Sequence, residues 1–304
     1  MKRKILITGG SGFIGKNLRQ ELSELDYETF TIGRNEEEDL KIDLGRDGAT
    51  LSLQNGIKNF SPDLVCHFAS GSNIQRAEEE KEKEFKNTVI ATENLLECLK
   101  KVVPKSKIIY LSSQAVYGLP SYLPVDELHL TKPVNIYGEN KLKVEKLIIQ
   151  SGLDYLIFRV SSVFGLNQDY KKSGVIAKFI NKMKNNESPI VFNSMDIVSD
   201  FIYIKDLVSV ISKAMLNDAI NKEIFNLGSG KPVSMKELLY SLYKYFPDVP
   251  PPKIEKNPLY INQEYKGFYL NINKIRNKLK WACQYSLQDG LKDMLEKSAY
   301  EFVN

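Results

Sequence analysis

The chain is poor in the residues that carry disulfide, metal and membrane chemistry. Only three of its 304 residues are cysteines, Cys66, Cys98 and Cys283, an odd number spread far apart. A disulfide framework needs paired cysteines at regular spacings, so this count argues for free thiols in a reducing compartment. The two histidines, His67 and His129, have no cysteines beside them at zinc-ligand spacing, so no metal is expected. No apolar run approaches the roughly 20 residues that cross a bilayer, and no membrane partner is expected. The opening MKRKILITGG runs into glycines after a very short apolar stretch, too short for the apolar region of a signal peptide. A soluble, cytoplasmic protein is the expectation. Net charge is only +4, from 42 Lys and Arg against 38 Asp and Glu, with the signs interspersed. That pattern excludes a basic footprint for nucleic acid. Repeats, low-complexity tracts and Gly/Ser linkers are lacking too.

What is present is an ordinary globular composition, 42% apolar and 26% charged, in a chain long enough for one large domain or two intimate ones. Short apolar runs alternate with helical patterns. KILIT reads as a buried strand and Phe13 to Leu25 as a helix, with Ile14, Leu18, Leu22 and Leu25 on one face. ETFTIG, DLVCHFA and KIIYLSS read as further strands, TVIATENLLECLKKV and NIYGENKLKVEKLIIQ as helices, and DYLIFRVSSVFG as the next strand. Strand and helix in steady succession predict an α/β fold, a parallel sheet with helices on both faces, doubly wound through right-handed crossovers. Beyond it, SDFIYIKDLVSVISKAML reads as a strand and helix and EIFNLGSG as a strand and turn. The proline run VPPPK reads as an exposed extended loop, and the acidic run Glu36 to Asp39 as a solvated one.

Thr8-Gly9-Gly10-Ser11-Gly12-Phe13-Ile14-Gly15 joins the first strand to the first helix. Glycines there let the backbone approach a ligand closely, and the helix N-terminus offers free N–H groups and a partial positive charge to a pyrophosphate. Gly9, Gly12, Phe13, Ile14 and Gly15 are therefore candidate dinucleotide contacts. The second strand ends at Ile32, before Gly33-Arg34-Asn35. An acidic residue here would bind the adenosine ribose and repel a 2′-phosphate. Arg34 can pair with that phosphate, which favours NADP over NAD; its reading as a plain surface charge stays open. Asp43 is a candidate for the adenine amino group, or a turn residue.

Tyr137 and Lys141 stand four residues apart, on one face of a predicted helix. They follow the glycine loop in the chain and come after a strand ending in Ser112-Ser113. Hydride transfer to a ketone leaves an alkoxide that needs a proton. A phenol of ordinary pKa about 10 serves only if nearby positive charge lowers it. Tyr137 is the candidate acid–base, Lys141 the cation, and Ser113 the hydroxyl that holds the reacting oxygen.

On these motifs the chain resembles the extended short-chain dehydrogenase/reductase family, the nucleotide-sugar epimerases, dehydratases and reductases. TGGSGFIG, VCHFAS, LSSQAVYG, YGENK, RVSSVFG, SDFIYIKDL, FNLGSG and KLKW fall in the order such sequences show, over nearly the whole chain. The resemblance implies a Rossmann-type domain at 1–166 and 197–228 and a smaller, discontinuous substrate domain at 167–196 and 229–304. It implies cofactor contacts at Leu44, Phe68, Ala69, Ser70, Asn87 and Val163, besides Tyr137 and Lys141. It makes His67 structural, gives Arg159 a strand-end structural role, and implies a homodimer.

The departures narrow the reading. Dehydratases of the family carry acids just after the catalytic hydroxyl residue; Gln114 and Ala115 stand here, which argues against water elimination. Ser162 and Ser199 replace the family's Asn and Arg, and the only basic residues near 253–266 are Lys253, Lys256 and Lys266. Lysine is a less geometric clamp for a diphosphate. The first expectation is an NADPH-dependent reductase of a nucleotide-linked keto-sugar, such as a 4-keto-6-deoxyhexose. The alternative is a nucleotide-sugar 4-epimerase that keeps bound NAD. A reductase of small lipophilic ketones and a non-catalytic dinucleotide sensor are further readings.

Overall fold

The computed structural model describes residues 2–46, 48–71, 73–170, 174–256 and 266–300. The run KILIT forms β1 (Arg3–Thr8), followed by α1 (Phe13–Ser23), β2 (Tyr27–Gly33) and the short β3 (Leu40–Lys41). Helix α1 stops short of the expected Leu25, whose amide turns back to the Leu22 carbonyl at 3.1 Å. An unanticipated helix, α2 (Thr50–Phe60), follows; it buries Leu53 and Ile57 one turn apart. Then come β4 (Leu64–His67), α3 (Ile74–Glu79), α4 (Lys81–Phe85), α5 (Ala91–Val102), β5 (Lys107–Ser113), α6 (Ile136–Gln150) and β6 (Tyr155–Val160). A π-helical turn at Lys86–Ile90 leads into α5, and a 3-10 turn at Gln114–Tyr117 follows β5.

The remaining elements are β7 (Ser162–Phe164), α7 (Val175–Lys184), β8 (Ile190–Phe192), β9 (Val198–Tyr203), α8 (Ile204–Met215), β10 (Glu223–Leu227) and β11 (Pro232–Ser234), then α9 (Met235–Tyr243), β12 (Lys253–Glu255), β13 (Gly267–Phe268), α10 (Asn273–Leu279) and α11 (Leu287–Tyr300).

Seven strands make one parallel sheet in the order β10-β6-β5-β4-β1-β2-β3. The pleat sends alternate side chains to opposite faces, and both faces are covered. Ile5 and Ile7 of β1, Cys66 of β4 and Ile109 of β5 join the core that holds Leu18 and Leu22 of α1 and Leu207 of α8. Their neighbours Leu6, Val65 and Ile108 join the core beneath α2, α5 and α6, with Leu53, Leu95 and Val144. This is a doubly wound, Rossmann-like α/β fold. The chain runs outward from β1 through β2 to β3, then returns to β4 on the other side of β1. The C-terminal ends of β1 and β4 therefore flank the switch point where such sheets bind ligands.

The stretch expected as one strand at 154–165 is two. β6 pairs with β5 in the large sheet, whereas β7, after Ser161, pairs with β9. β9 also pairs with β11 and β13, forming a second sheet. Of the segment 197–228, β10 enters the large sheet and α8 packs against α1, while β9 belongs to the second sheet. The parts of the smaller region at 171–173, 257–265 and 301–304 lie outside the described residues. In the proline run, Pro250 and Pro251 are exposed and without regular structure; Lys253 opens β12, which pairs with β8.

Candidate active site

The glycine loop wraps the C-terminal end of β1. Gly9 N donates to Ile32 O at 2.7 Å and Gly12 N to Gly9 O at 3.0 Å. A Cβ on Gly15 would lie 2.2 Å from Gly9 O, so only glycine lets α1 start this close to the loop. No side chain caps α1 and no acid occupies its first turn. The first-turn amides at Phe13, Ile14 and Gly15 and the helix dipole are thus free to meet an anion.

The loop after β4 is fixed against this one by a buried threonine–histidine chain. Phe68 N and Ala69 N donate to Thr8 Oγ1 at 3.2 and 3.1 Å. Thr8 Oγ1 lies 2.7 Å from His67 Nδ1, and His67 Nε2 lies 2.9 Å from Thr92 Oγ1. Thr92 spends its single hydroxyl proton on Thr88 O at 2.6 Å. His67 Nε2 must then be the donor to Thr92, and Nδ1 accepts from Thr8. His67 is a neutral structural group, as expected, and not a ligand. Burial first, and the Lys141 charge second, push its pKa down to about 3.

A testable consequence follows. A histidine held neutral below its unfolded value stabilises the fold fully above about pH 6.5, and that contribution is lost as pH falls towards the folded value. The slope from this one group is at most about 1.4 kcal/mol per pH unit. Urea unfolding measured across that window should show a shallower acid loss for His67→Gln than for the parent chain. An identical slope would assign the acid sensitivity elsewhere.

The catalytic candidates come together at the switch point. Ser113 ends β5 and accepts from Ala115 N at 3.2 Å, starting the 3-10 turn. Asn135 caps α6 by accepting from Gly138 N at 2.8 Å, which sets Tyr137 in the first turn. One turn on, Lys141 is 4% exposed, and its Nζ donates to Ser70 Oγ and to Leu111 O, both at 2.8 Å. That ammonium lies 5.7 Å from the Tyr137 ring centroid and 5.0 Å from that of Tyr110. Burial is the main influence on both groups. It pushes the Tyr137 phenol up to about 12, against a hydrogen bond from Ser113. It pushes Lys141 down to about 8, against the negative charges of Glu84 and Glu145. Two buried carboxylates that sequence reasoning missed thus act on Lys141, and Glu84 on Tyr137 as well. Glu84 accepts from Thr88 Oγ1 at 2.9 Å and leaves no room for a side chain at Gly71. Glu145 holds Arg159, which accounts for the structural role expected of that arginine. Nothing in their local sequence separates them from surface acids.

The candidates for the adenosine end are arranged differently. Arg34, Asp43 and Asn87 line one wide cleft together with Gly45 and Lys86. Arg34 Nη1 reaches Asn87 Oδ1 at 3.5 Å. Asp43 is exposed and accepts from Gly45 N at 3.0 Å, the geometry of its turn reading. Leu44 is buried, and its carbonyl accepts from Asn94 at 2.7 Å. Val163 lies in β7, partly buried against the core. Glu38, from the acidic run expected to be solvated, is buried over the glycine loop instead; the run is anchored from both sides, and only its third side chain turns inward. Among the described residues no group of three or more His, Cys, Asp or Glu side chains could hold a metal ion, and no helix is long and apolar enough to cross a membrane.

The chain is similar to known proteins in both sequence and fold. A protein of Methanocaldococcus jannaschii named "Putative UDP-glucose 4-epimerase" is 34% identical over 302 residues, covering 95% of this chain and 96% of the relative. The GDP-6-deoxy-D-talose 4-dehydrogenase of Aggregatibacter actinomycetemcomitans is 28% identical, over 80% of this chain and 78% of its own. The fold of the Thermotoga maritima UDP-glucose 4-epimerase, solved with UDP-glucose, superposes with a TM-score of 0.89 at 24% identity, covering 98% of this chain and 99% of that one. The model of the NAD dependent epimerase/dehydratase family matches residues 5–228. With a glycine loop at the switch point and a Ser-Tyr-Lys cluster beside it, the chain belongs to the NAD dependent epimerase/dehydratase family.

Proposed function

We propose that this enzyme is a nucleotide-sugar 4-epimerase, with Tyr137 as the acid–base group, Ser113 as the oxygen-orienting hydroxyl and Lys141 as the supporting cation. The observation that carries the reading is the cluster itself: phenol, ammonium and serine hydroxyl converge where β5 and α6 meet the loop after β4. The dinucleotide fits the residues present, because α1 offers an uncapped N-terminus and the glycines leave a cradle that side chains would fill. When bound, it supplies the hydride acceptor and, in the reverse sense, the donor. Gly9, Gly12, Phe13, Ile14 and Gly15 would hold its pyrophosphate, and Lys141 and Ser70 its nicotinamide end.

The chain's own groups divide the remaining work. The Tyr137 oxygen takes the proton from a sugar hydroxyl and returns it to the same oxygen. Ser113 donates to that oxygen and fixes its distance from the phenol. Lys141 would keep positive charge 5.7 Å from the phenol ring, on the side of the phenolate and against the upward push of burial. The positions after Ser113 hold Gln114 and Ala115, which have no carboxylate to remove a second proton, so the cycle closes without loss of water. The Methanocaldococcus jannaschii relative named "Putative UDP-glucose 4-epimerase", similar over nearly the full length, supports the choice of reaction and of a UDP-hexose.

A reductase of a nucleotide-linked keto-sugar is the second reading, favoured by Arg34 on the wall of the adenosine cleft. One experiment separates them. Incubated with UDP-glucose, an epimerase converts it to UDP-galactose, detected by proton NMR, with no net change in cofactor redox state. A reductase leaves that sugar untouched and oxidises reduced cofactor one-for-one with a 4-keto-sugar nucleotide.

A further inference from the structure

We infer that Glu84 is a positioning residue for the reacting pair, the buried counter-charge that faces the Lys141 ammonium from behind the loop after β4. The inference rests on the Tyr137 and Lys141 reading above and adds what governs their charge. Lys141 Nζ donates to neutral acceptors, Ser70 Oγ and Leu111 O. A buried ammonium on neutral acceptors needs negative charge near it to stay protonated. Tyr110 of β5 and Tyr137 of α6 present their rings to it, at 5.0 and 5.7 Å. His67 of β4 is neutral. Glu145 of α6 is spent on Arg159, at 2.8 Å. Glu84 of α4 is the acid whose charge is left for Lys141.

Its seat is built beside Ser70. Glu84 is 7% exposed. Oε1 accepts from Thr88 Oγ1 at 2.9 Å, and Thr88 Oγ1 in turn accepts from Gly71 N at 3.0 Å. Gly71 follows Ser70 directly in the chain, so the acid and the lysine hold one short stretch of backbone from two sides. A Cβ on Gly71 would overlap both carboxylate oxygens. The carboxylate therefore lies over the bare Cα of Gly71. The other charges on α3 and α4 pair among themselves: Arg76 and Lys83 with Glu80, at 3.1 and 3.0 Å, and Lys81 with Glu78 at 3.8 Å. Glu78 also accepts from Ile136 N, at the start of α6, at 2.8 Å. Lys143 of α6 lies 5.2 Å from the Phe85 ring centroid. Glu79, Glu82, Lys86 and the charges of α5 are exposed. In the low dielectric of the interior a charge acts beyond contact distance. Burial pushes Lys141 down, and Glu84 is the next influence, pushing it up. Burial pushes Tyr137 up; the Ser113 hydrogen bond opposes that, and Glu84 adds to it.

Titration of Lys141 in the purified chain tests this. Lysine labelled at Cε is read by NMR, and the Lys141 signal is assigned by its loss in Lys141→Arg. In the parent its midpoint should lie at about 8. Glu84→Gln keeps an acceptor for Thr88 and removes the charge, so the midpoint should fall by about one pH unit. Gly71→Ala keeps the charge but displaces it, because the new methyl meets only the end of a side chain that can swing away; the midpoint should fall in the same direction. A midpoint unchanged in Glu84→Gln overturns the inference. Should that variant fail to fold, Gly71→Ala decides by the same measure. The pH profile of turnover from UDP-glucose to UDP-galactose gives a second readout. Without the charge at Glu84 the phenolate forms, and the ammonium is lost, at lower pH, so both limbs should move towards acid. A uniform fall with both limbs in place, the mark of a merely structural role, overturns it. A parent that converts no nucleotide sugar, while the Lys141 midpoint still falls in Glu84→Gln, removes the proposed reaction and leaves the assignment of Glu84 standing.

Discussion

Tyr137→Phe will lower turnover by roughly two to four orders of magnitude, the range general acid–base groups supply, while dinucleotide binding stays near the parent's. The substitution removes one oxygen and keeps the ring that Lys141 approaches at 5.7 Å. Everything else in the cluster has its own anchor: Lys141 on Ser70 and Leu111, Ser113 on the Ala115 amide. The loss should therefore appear in turnover and not in cofactor affinity, which calorimetry and steady-state kinetics report separately. The electrostatics around the phenol show why its oxygen matters. Burial holds the phenol at about 12 and the ammonium at about 8, so both groups are pushed towards their neutral forms. A phenol in that state is a poor base at neutral pH. Positive charge arriving at the nicotinamide end will favour the phenolate and bring it into a useful range. Turnover within a few-fold of the parent in Tyr137→Phe would show that another group moves the proton.

Glu145→Leu should destabilise the fold by about 3–5 kcal/mol, the range for leaving one buried charge without its partner. Arg159 Nη2 donates to Glu145 Oε2 at 2.8 Å and Nε to Oε1 at 3.1 Å, with both side chains almost wholly buried. Glu145 Oε1 also accepts from Ser112 at 2.5 Å. Arg159 Nη1 donates to the Tyr117 hydroxyl at 3.1 Å, which in turn donates to Asn226 Oδ1 at 2.6 Å. This chain of bonds ties α6, β5, β6 and β10 together one turn beyond Lys141. Its removal strands the guanidinium in the sheet core. Urea unfolding should register the loss, and the double variant Glu145→Leu with Arg159→Met should recover much of it, since an apolar pair leaves no orphan charge. A single-variant loss below about 1 kcal/mol would mean that water reaches Arg159.

Much of the site was legible because its parts are local. The glycine loop lies within eight residues, and the Tyr-x-x-x-Lys pair within one helical turn. Each has a spacing that only one local structure explains. The runs Ile5-Leu6-Ile7 and Ile108 to Leu111 are continuous and buried because both faces of a parallel strand are covered. Where a segment changes partners midway, the pattern is silent. RVSSVF reads as one strand, and only the pairing of β7 with β9 shows that it leaves the large sheet. Helix α2 left a signal that was not used, Leu53, Ile57 and Phe60 at helical spacing, obscured by Gly56 in mid-run and the polar residues around it. Arg34 was legible as a charge at the right place in the chain, but its direction was not.

By itself, the order of residues indicated the α/β class through the alternation of strands and helices along the chain, and the glycine loop and the Tyr137–Lys141 pair through spacings shorter than a helix; Ser113, 24 residues before Tyr137, was a candidate only because it ends a strand. The tertiary structure decided which charges are buried. Glu36, Glu37, Glu38 and Asp39 are near-equivalents in sequence, yet only Glu38 is buried against the glycine loop, because the room for it is made by Gly10 and Gly33. Glu145 and Arg159 likewise become partners only once β6 lies under α6. Burial depends on what distant segments leave vacant or fill, and no local pattern encodes that.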